Sequence, residues 1–465
     1  MINIEEEVLK RIKPTKEEYS KAQRVFNKVK ELLKRALERH NVDATVELEG
    51  SIAKDTWISG EWDLDIFVLF NKRYGKDWIK SEGFKIIYES VKHLNPELKY
   101  AEHPYVRAKV EGFEVDIVPA LRLDKAYEAK TVVDRTPFHT RYVNSRLTSE
   151  LRDQVRLLKK FMKGIGVYGA EIKVQGFSGY LCELLIIAYK GFRRVLENAR
   201  YWKPKHVIDI EGHYPNRKEA IKKFKDQTLI VIDPVDPNRN VAAAISLESL
   251  SKFIIASSLY LKKPSLHFFY PVEERVDYSS LKSMVKNRKT TLVAIVTTCP
   301  SIPSDTLWGE LNRSLRILHK YIANAGFSII DSKVWTNEQD IIVFLFELEK
   351  PVLEAYEKHY GPPAYIETNT LEFIEKYVNS RETIAGPWIE GDRLVVLRRR
   401  KITHIIEHLN NVQKYIQALS PHVKNVISKW FDILLDNELL MLAMKYNEFK
   451  YYLYKFLKKR EPWMI

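Results

Sequence analysis

Apolar and polar positions along the chain repeat with two different periods, which predict where helices and strands lie. Residues 4–40 follow the helical period, with a charged amphipathic pattern over residues 17–39. Residues 62–70 and 113–118 are strand-like, and the second segment alternates between apolar and acidic positions. Helical periodicity resumes at residue 148 and continues to about residue 262. We therefore expect a mixed α/β head followed by a mainly helical central region.

The C-terminal half alternates between strand-like and helical segments. The predicted elements are, in order, a strand at 291–296, a helix at 307–325, strands at 327–330 and 341–346, a mixed segment at 363–400 and helices over 402–460. The β-α-β-β order at its start resembles half of a ferredoxin-like or RNA-recognition-type fold. The sequence therefore predicts an α+β multidomain protein with domains at residues 1–146, 147–262 and 263–465.

Bulk composition limits the partners and the compartment. The 465 residues carry a formal net charge of +14, which favours a polyanionic partner. Cys182 and Cys299 are the only cysteines, so we expect neither a disulfide framework nor a zinc site. The N-terminal residues are acidic, unlike a signal peptide, and no uncharged stretch is long enough to span a bilayer. A cytoplasmic protein with no membrane partner is expected.

Three acidic residues on two predicted strands are the strongest chemical signal. Asp63 and Asp65 are two positions apart, so their side chains project from the same face of a strand. On the second strand, Glu114 and Asp116 share a face in the same way, and pairing of the two strands would add a third carboxylate. Clustered carboxylates suit Mg²⁺, which prefers hard oxygen ligands. The pattern indicates metal-dependent nucleotidyl transfer.

The segment before the first acidic strand adds a candidate phosphate site. Residues 47–57 predict a strand, a turn at Gly50 and a short helix that begins with Ser51. The start of a helix presents free amides and the positive end of the helix dipole to a phosphate. Lys54, one turn further on, adds a cation. A simple helix cap explains Gly-Ser alone, but not a Gly-Ser that is followed closely by paired carboxylates.

These features resemble the DNA polymerase beta-like nucleotidyltransferases, which carry Gly-Ser, a following Asp-x-Asp and a third acid on a later strand. The resemblance narrows to the archaeal-type (class I) CCA-adding tRNA nucleotidyltransferases. Four segments carry it, namely Asp134 to His139, Gly164 to Glu171, Gly176 to Leu185 and Asp233 to Ala242. With the head motifs, the resemblance spans about residues 47–245.

The resemblance implies template-free addition of C, C and A to the 3′ end of tRNA, from CTP and ATP. It implies that Asp63, Asp65 and Asp116 are catalytic and bind Mg²⁺. The nucleotide-binding residues that it implies are Gly50, Ser51, Lys54, His139, Lys159 and Tyr168, with Arg239 at the base edge. The three domains would be a catalytic head, a central nucleotide- and primer-binding domain and a tRNA-binding region. It leaves open whether two copies of the chain form a homodimer.

The chain departs from the family pattern at two positions. Asp63 stands where Glu is common, which shifts the metal geometry slightly, and Lys54 stands where Arg is common, which replaces a bidentate group with a point charge. Neither change alters the expected reaction.

Each residue carried over from the family also has a purely structural alternative. His139 follows a proline in an expected loop, where a histidine commonly faces solvent. Lys159 belongs to the polar face of an amphipathic helix, and Tyr168 lies in a glycine-rich segment where an aromatic ring can simply pack. Glu183 lies in an apolar helical run and is expected to form a structural ion pair with an Arg or Lys.

Two other functions remain open at this point. A poly(A)- or oligoadenylate-type RNA nucleotidyltransferase would keep the same metal site but extend other ends. An inactive RNA-binding scaffold would keep the fold alone, although inactive members usually lose one of the acids.

Overall fold

The computed structural model describes residues 3–100, 104–129, 131–272 and 276–464. Its contacts divide the chain into two compact units, one of residues 1–273 with 461–465 and the other of residues 274–460. The three domain boundaries expected from the sequence remain predictions, since this division treats the first 273 residues as one unit. No helix in the described ranges is long and apolar enough to cross a membrane.

The first unit begins with a mixed head built on a five-stranded sheet. Its elements are α1 Ile4–Ile12, α2 Lys16–Arg39, β1 Ala44–Glu49, α3 Gly50–Ala53, β2 Asp63–Phe70, α4 Gly75–Trp78, α5 Phe84–Val91, β3 Glu97–Tyr100, β4 Pro104–Val110, β5 Phe113–Leu121 and α6 Val132–Arg146. The strand order is β1-β2-β5-β4-β3, in which only β2 and β5 are parallel neighbours. The sheet therefore sets the two acidic strands side by side, as the sequence predicted.

Local sequence explains why the head elements begin where they do. The side chain of Thr15 accepts a hydrogen bond from the Glu18 amide, and the Glu18 carboxylate accepts one from the Thr15 amide, so α2 begins with a capping box. On β2, Leu64, Ile66 and Val68 alternate into the core beneath α2 and α5. The same alternation turns the two aspartates of β2 toward the opposite face.

The rest of the first unit is mainly helical. Its elements are α7 Ser149–Gly164, α8 Gly179–Tyr189, α9 Phe192–Ala199, β6 His206–Ile208, α10 Arg217–Lys223, β7 Leu229–Asp233, β8 Asp236–Asn240 and α11 Leu247–Lys262. The small sheet β6-β7-β8 was not expected. Its strands are only three to five residues long. Periodicity cannot separate apolar runs as short as β6 and β7 from a helix, and β8 has no alternating apolar positions at all.

The second unit combines a four-stranded sheet with a smaller three-stranded one. Its elements are α12 Tyr278–Arg288, β9 Thr291–Thr298, α13 Ser304–Asn324, β10 Ile329–Thr336, β11 Ile341–Leu348, β12 Tyr356–Pro363, α14 Glu367–Val378, β13 Thr383–Glu390, β14 Arg393–Arg399, α15 Ile405–Asn410, α16 Pro421–Lys429, β15 Asp432–Leu435, α17 Asp436–Lys445 and α18 Asn447–Lys458. The sheets have the orders β10-β11-β9-β15 and β12-β14-β13.

The larger sheet confirms the ferredoxin-like expectation. Its strands pair antiparallel in the spatial order second, third, first, fourth, which is the order of a complete ferredoxin-like sheet. The fourth strand, β15, corrects the expectation that residues 402–460 are entirely helical. It is only four residues long, and it is recognisable as a strand only through its pairing with β9.

Candidate active site

Two parallel strands bring the predicted acidic residues to one edge of the head sheet. Asp65 lies directly opposite Asp116 in the β2–β5 register, and Asp63 lies opposite Glu114. Asp63 is exposed and Asp65 is half-buried. The pairing expected from the sequence is therefore confirmed, with Asp65 and Asp116 as its central pair.

Gly50 lies against this pair of carboxylates. Its φ of +71° is in the left-handed region, and a Cβ atom on it would lie 1.9 Å from Oδ2 of Asp65. Glycine alone adopts this φ without strain and has no Cβ to collide with Asp65. The short helix α3 begins at Gly50, one residue earlier than expected, so Ser51 lies within the helix and does not cap it. The backbone at Gly50 and Ser51 thus approaches Asp65 closely.

Arg107 on β4 is a site residue that the sequence analysis missed. Its Nε and Nη2 donate to the two carboxylate oxygens of Asp116, each at 2.6 Å, and its Nη1 lies 3.2 Å from Glu114. Arg107 is the β4 partner of Asp116 in the antiparallel register. An arginine on a neighbouring strand carries no signal of its own until that register is known.

Arg107 alone does not neutralise the acidic edge, which carries the carboxylates of Asp63, Asp65, Glu114 and Asp116. Burial, followed by the charge of Asp116, raises the pKa of Asp65 to about 6. Burial and the charge of Glu114 also raise the pKa of Asp63. A hard divalent cation would relieve this repulsion, and carboxylate oxygens are its preferred donors. Among the described residues, however, no three such side chains converge closely enough to hold a metal ion as they stand. The donor chemistry fits a cation, and side-chain adjustment has to complete the site.

Lys54 and Lys159 meet in a buried network around Glu183. Nζ of Lys54 lies 2.6 Å from Oε2 of Glu183, and Nζ of Lys159 lies 3.6 Å from Oε1. Thr56 donates its hydroxyl to Oε1 at 2.6 Å, while Lys159 donates to the Thr56 carbonyl at 3.0 Å. The ion pair expected for Glu183 is thereby confirmed. Lys159 is only 2% exposed and so does not belong to the polar face of its helix.

The charges in this network offset the cost of its burial. Burial alone would raise the pKa of Glu183, but the charges of Lys54 and Lys159 outweigh it and hold that pKa below its usual value. Burial lowers the pKa of Lys159. Two lysine side chains share one carboxylate, so the network has more hydrogen-bond donors than acceptors, which suits an anionic ligand.

Tyr168 lies beside this network. It forms an isolated parallel bridge with Phe177, and its hydroxyl oxygen lies 3.0 Å from the position that a Cβ of Gly179 would occupy. Cε and Nζ of Lys159 lie 3.5 Å from the same position. The missing side chain at Gly179 thus lets Tyr168 and Lys159 approach each other.

His139 and Arg239 converge on Asp233, which the sequence analysis did not select as a site residue. Nε2 of His139 lies 2.9 Å from Oδ2 of Asp233, and Nη1 of Arg239 lies 2.8 Å from the same oxygen. Tyr180 donates its hydroxyl to Oδ1 at 3.2 Å, and its ring stacks on that of His139 with a centroid distance of 4.1 Å. We call these four residues the Asp233 cluster.

The position of His139 corrects one expectation. The residue lies inside α6 and not in a loop, although Pro137 also lies within that helix. Proline usually ends a helix, which is why the sequence favoured a loop. Nζ of Lys54 lies 5.6 Å from the ring centroid of Tyr180, so the lysine network and the Asp233 cluster are neighbours.

The chain is similar in sequence to three family models and to curated proteins of one kind. Three family models match, namely a nucleotidyltransferase domain at residues 29–139, the second domain of tRNA nucleotidyltransferase at 153–270 and the C-terminal domain of CCA-adding enzyme at 288–436. A CCA-adding enzyme of Methanothermobacter thermautotrophicus is 36% identical over 98% of this chain and 97% of its own length. One from Sulfurisphaera tokodaii is 40% identical over 93% and 98%. A solved poly(U) polymerase structure covers 56% of this chain and 94% of its own, with 18% identity and a TM-score of 0.45.

Proposed function

Because the chain belongs to the family of CCA-adding enzymes, we propose that it adds C, C and A to the 3′ end of tRNA without a template. CTP and ATP are the substrates and pyrophosphate is the second product. The strongest structural support is the register of β2 and β5, which sets Asp65 opposite Asp116 while the backbone at Gly50 closes on Asp65. Phosphoryl transfer needs charged groups beside a bound phosphate, and the closeness of these carboxylates to the Gly50 turn supports that proposal.

The proposed catalytic residues are Asp63, Asp65 and Asp116, which hold the metal ion. The nucleotidyltransferase fold generally uses divalent metals. We propose Mg²⁺ because the metal-binding groups are all carboxylates. When bound, the ion supplies Lewis-acid stabilisation of the charge that develops on the phosphate oxygens. Arg107 orients Asp116 through its two hydrogen bonds, which leave further lone pairs free on both carboxylate oxygens.

The remaining site residues are proposed to bind the nucleotide. Gly50, Ser51, Lys54, Lys159 and Tyr168 hold the triphosphate, while His139 and Arg239 complete the nucleotide pocket with Arg239 at the base edge. The tRNA 3′ hydroxyl attacks the α-phosphate, the new O–P bond forms, and the bond to the β-phosphate breaks as pyrophosphate leaves. Catalysis then depends on positioning and charge stabilisation. The region at residues 263–465 binds the tRNA, and the protein acts in the cytoplasm.

The test is incorporation of labelled CTP and ATP onto a tRNA transcript that lacks its last three nucleotides, in the presence of Mg²⁺. Two additions with CTP alone, and one more when ATP is supplied, are expected. Long A tracts would favour a poly(A)-type enzyme, and no incorporation would favour an inactive scaffold. Light scattering on the same preparation tests for a homodimer, which would have twice the 54.6 kDa mass of the chain.

A matched pair of variants tests the acidic edge. Asp116→Ala should abolish incorporation but leave tRNA binding intact at a fixed salt concentration, because the carboxylate serves the chemical step. Asp124→Ala is the control, because it removes another carboxylate from the same head. The Asp124 side chain is 82% exposed and paired with Lys72, so the Asp124→Ala enzyme should stay active. Equal activity of the two variants would contradict the assignment.

A further inference from the structure

The Asp233 carboxylate is surrounded by donors on all sides. Its side chain is 0% exposed and accepts from His139, Arg239, Tyr180 and the backbone amide of Val235, the last at 3.1 Å. A buried carboxylate has about four lone-pair sites to satisfy, and these four donors match that number. The carboxylate therefore has no spare acceptor for a ligand, and its role is confined to the residues around it.

Asp233 is itself held rigidly. It ends β7 and pairs with Asp236 across the tight β7–β8 hairpin, and its own side chain accepts from the amide two residues on. Arg239 lies on the returning strand of the same hairpin. The carboxylate and the arginine that it holds therefore belong to one short, hydrogen-bonded unit, so a fixed Asp233 also fixes the guanidinium.

Arg239 has donors left over for a ligand. Only Nη1 is bound to Asp233, and within the described ranges neither Nε nor Nη2 has a protein partner. Its side chain is 28% exposed, which is enough for one edge to face a ligand. A guanidinium is planar and can donate but never accept. With Nη1 held by Asp233, the edge formed by Nε and Nη2 presents its donors in a fixed direction.

An edge that contains only donors discriminates among nucleobases. Cytosine offers the acceptors N3 and O2, and adenine offers N1. At the equivalent positions uracil and guanine carry an N–H, which would oppose an arginine donor and leave two donors facing each other. A buried mismatch of this kind costs far more than a missing contact. The discrimination holds only while the guanidinium cannot rotate away.

We infer that Asp233 is a positioning residue for nucleotide selection, which locks Arg239, with His139 and Tyr180 as supports, so that C and A are accepted and U and G refused. This inference rests on the proposed function. It assigns Asp233 no contact with the nucleotide and no part in the chemical step. Its loss should therefore lower selectivity more than the rate of incorporation of the correct nucleotide.

The experiment measures kcat/KM for CTP and for UTP on the shortened tRNA with the full-length protein. Asp233→Asn puts an amide donor in place of one acceptor, so the preference for CTP over UTP should fall about 10- to 100-fold, the discrimination of one bidentate pair. Arg239→Lys should lower it similarly. Because Asp233 acts through Arg239, the double variant should lose little more than either single variant. Asp236→Asn, which removes the partner of Arg135 in the same hairpin, is the matched control and should keep the preference.

The outcomes separate the inference from the proposed function. If the wild-type protein adds no CTP, the proposed function fails. If it adds CTP and Asp233→Asn keeps the wild-type preference, or if the two losses simply multiply in the double variant, the inference is overturned. Should Asp233→Asn fail to fold, Tyr180→Phe replaces it, because it removes one donor to Asp233 without changing charge. A severalfold loss of preference is expected there, and an unchanged preference would overturn the inference.

Discussion

Replacement of Gly50 by alanine is the sharpest test of how the active site is built. The methyl group would lie 1.9 Å from Oδ2, 2.8 Å from Cγ and 3.2 Å from Cβ of Asp65. Oδ2 and Cγ can be cleared only if the Asp65 side chain rotates away from its present position, because both lie closer than 3.0 Å. Gly50→Ala should therefore displace the central acidic residue while every polar group of the site remains present.

The size of the displacement can be worked from these distances. Real Cβ atoms essentially never approach another atom closer than 3.0 Å, so the oxygen has to retreat by about 1.1 Å. A misplacement of about 1 Å at a reacting centre costs roughly 100-fold in rate. The positive φ of +71° adds backbone strain of about 1–2 kcal/mol for any residue with a side chain. We expect both a slower enzyme and a somewhat less stable one.

Gly60→Ala is the matched control, because it separates strain from collision. Gly60 lies shortly before β2, the strand that carries Asp65, and has a φ of +82°. A Cβ on Gly60 would meet nothing within 4 Å. Gly60→Ala should lose the strain free energy in urea unfolding and Gly50→Ala at least as much, whereas only Gly50→Ala should lose about 100-fold in single-turnover CTP incorporation. If the two variants incorporate CTP at comparable rates, the close approach of Gly50 to Asp65 has no functional role.

Three further outcomes follow from buried groups. Glu183→Gln leaves two buried lysines without their counter-charge and should cost about 3–5 kcal/mol in urea unfolding, whereas the exposed Glu354→Gln should change little; equal effects would contradict the buried network. Burial raises the pKa of Glu49 from 4.5 to about 7, so the folded state holds its proton more tightly and stability falls as pH rises between these values. Relative to Glu49→Gln, the wild type should lose up to about 3 kcal/mol between pH 5 and pH 8, and a constant difference would refute the shift. Burial raises the pKa of Cys182 to about 12. A disulfide reagent at pH 8 should therefore modify only the half-buried Cys299 in the folded protein, and Cys182 only after denaturation. If the folded Cys299→Ser variant still reacts with the reagent, Cys182 is accessible and the prediction is wrong.

The chemistry of the acidic strand was predictable because strand geometry is local. Side chains two positions apart share a face in any strand, so Asp63 and Asp65 had to project together. A second local argument identified Glu183, because a carboxylate in an apolar helical run needs a cation nearby. The sequence misled where one local signal opposed another. Pro137 suggested a loop, but the residues around it form a helix that continues through His139.

The sequence by itself determined which residue types could hold a metal ion and a nucleotide, and on which faces of their own elements they lie. Only the tertiary structure decided which of those faces meet. Arg107 reaches Asp116 through the β4–β5 register, and Asp233 meets His139 from a position 94 residues away. The reason is physical: periodicity is set by the covalent geometry of each short segment, whereas contacts between distant segments depend on how whole helices and sheets bury their apolar faces together.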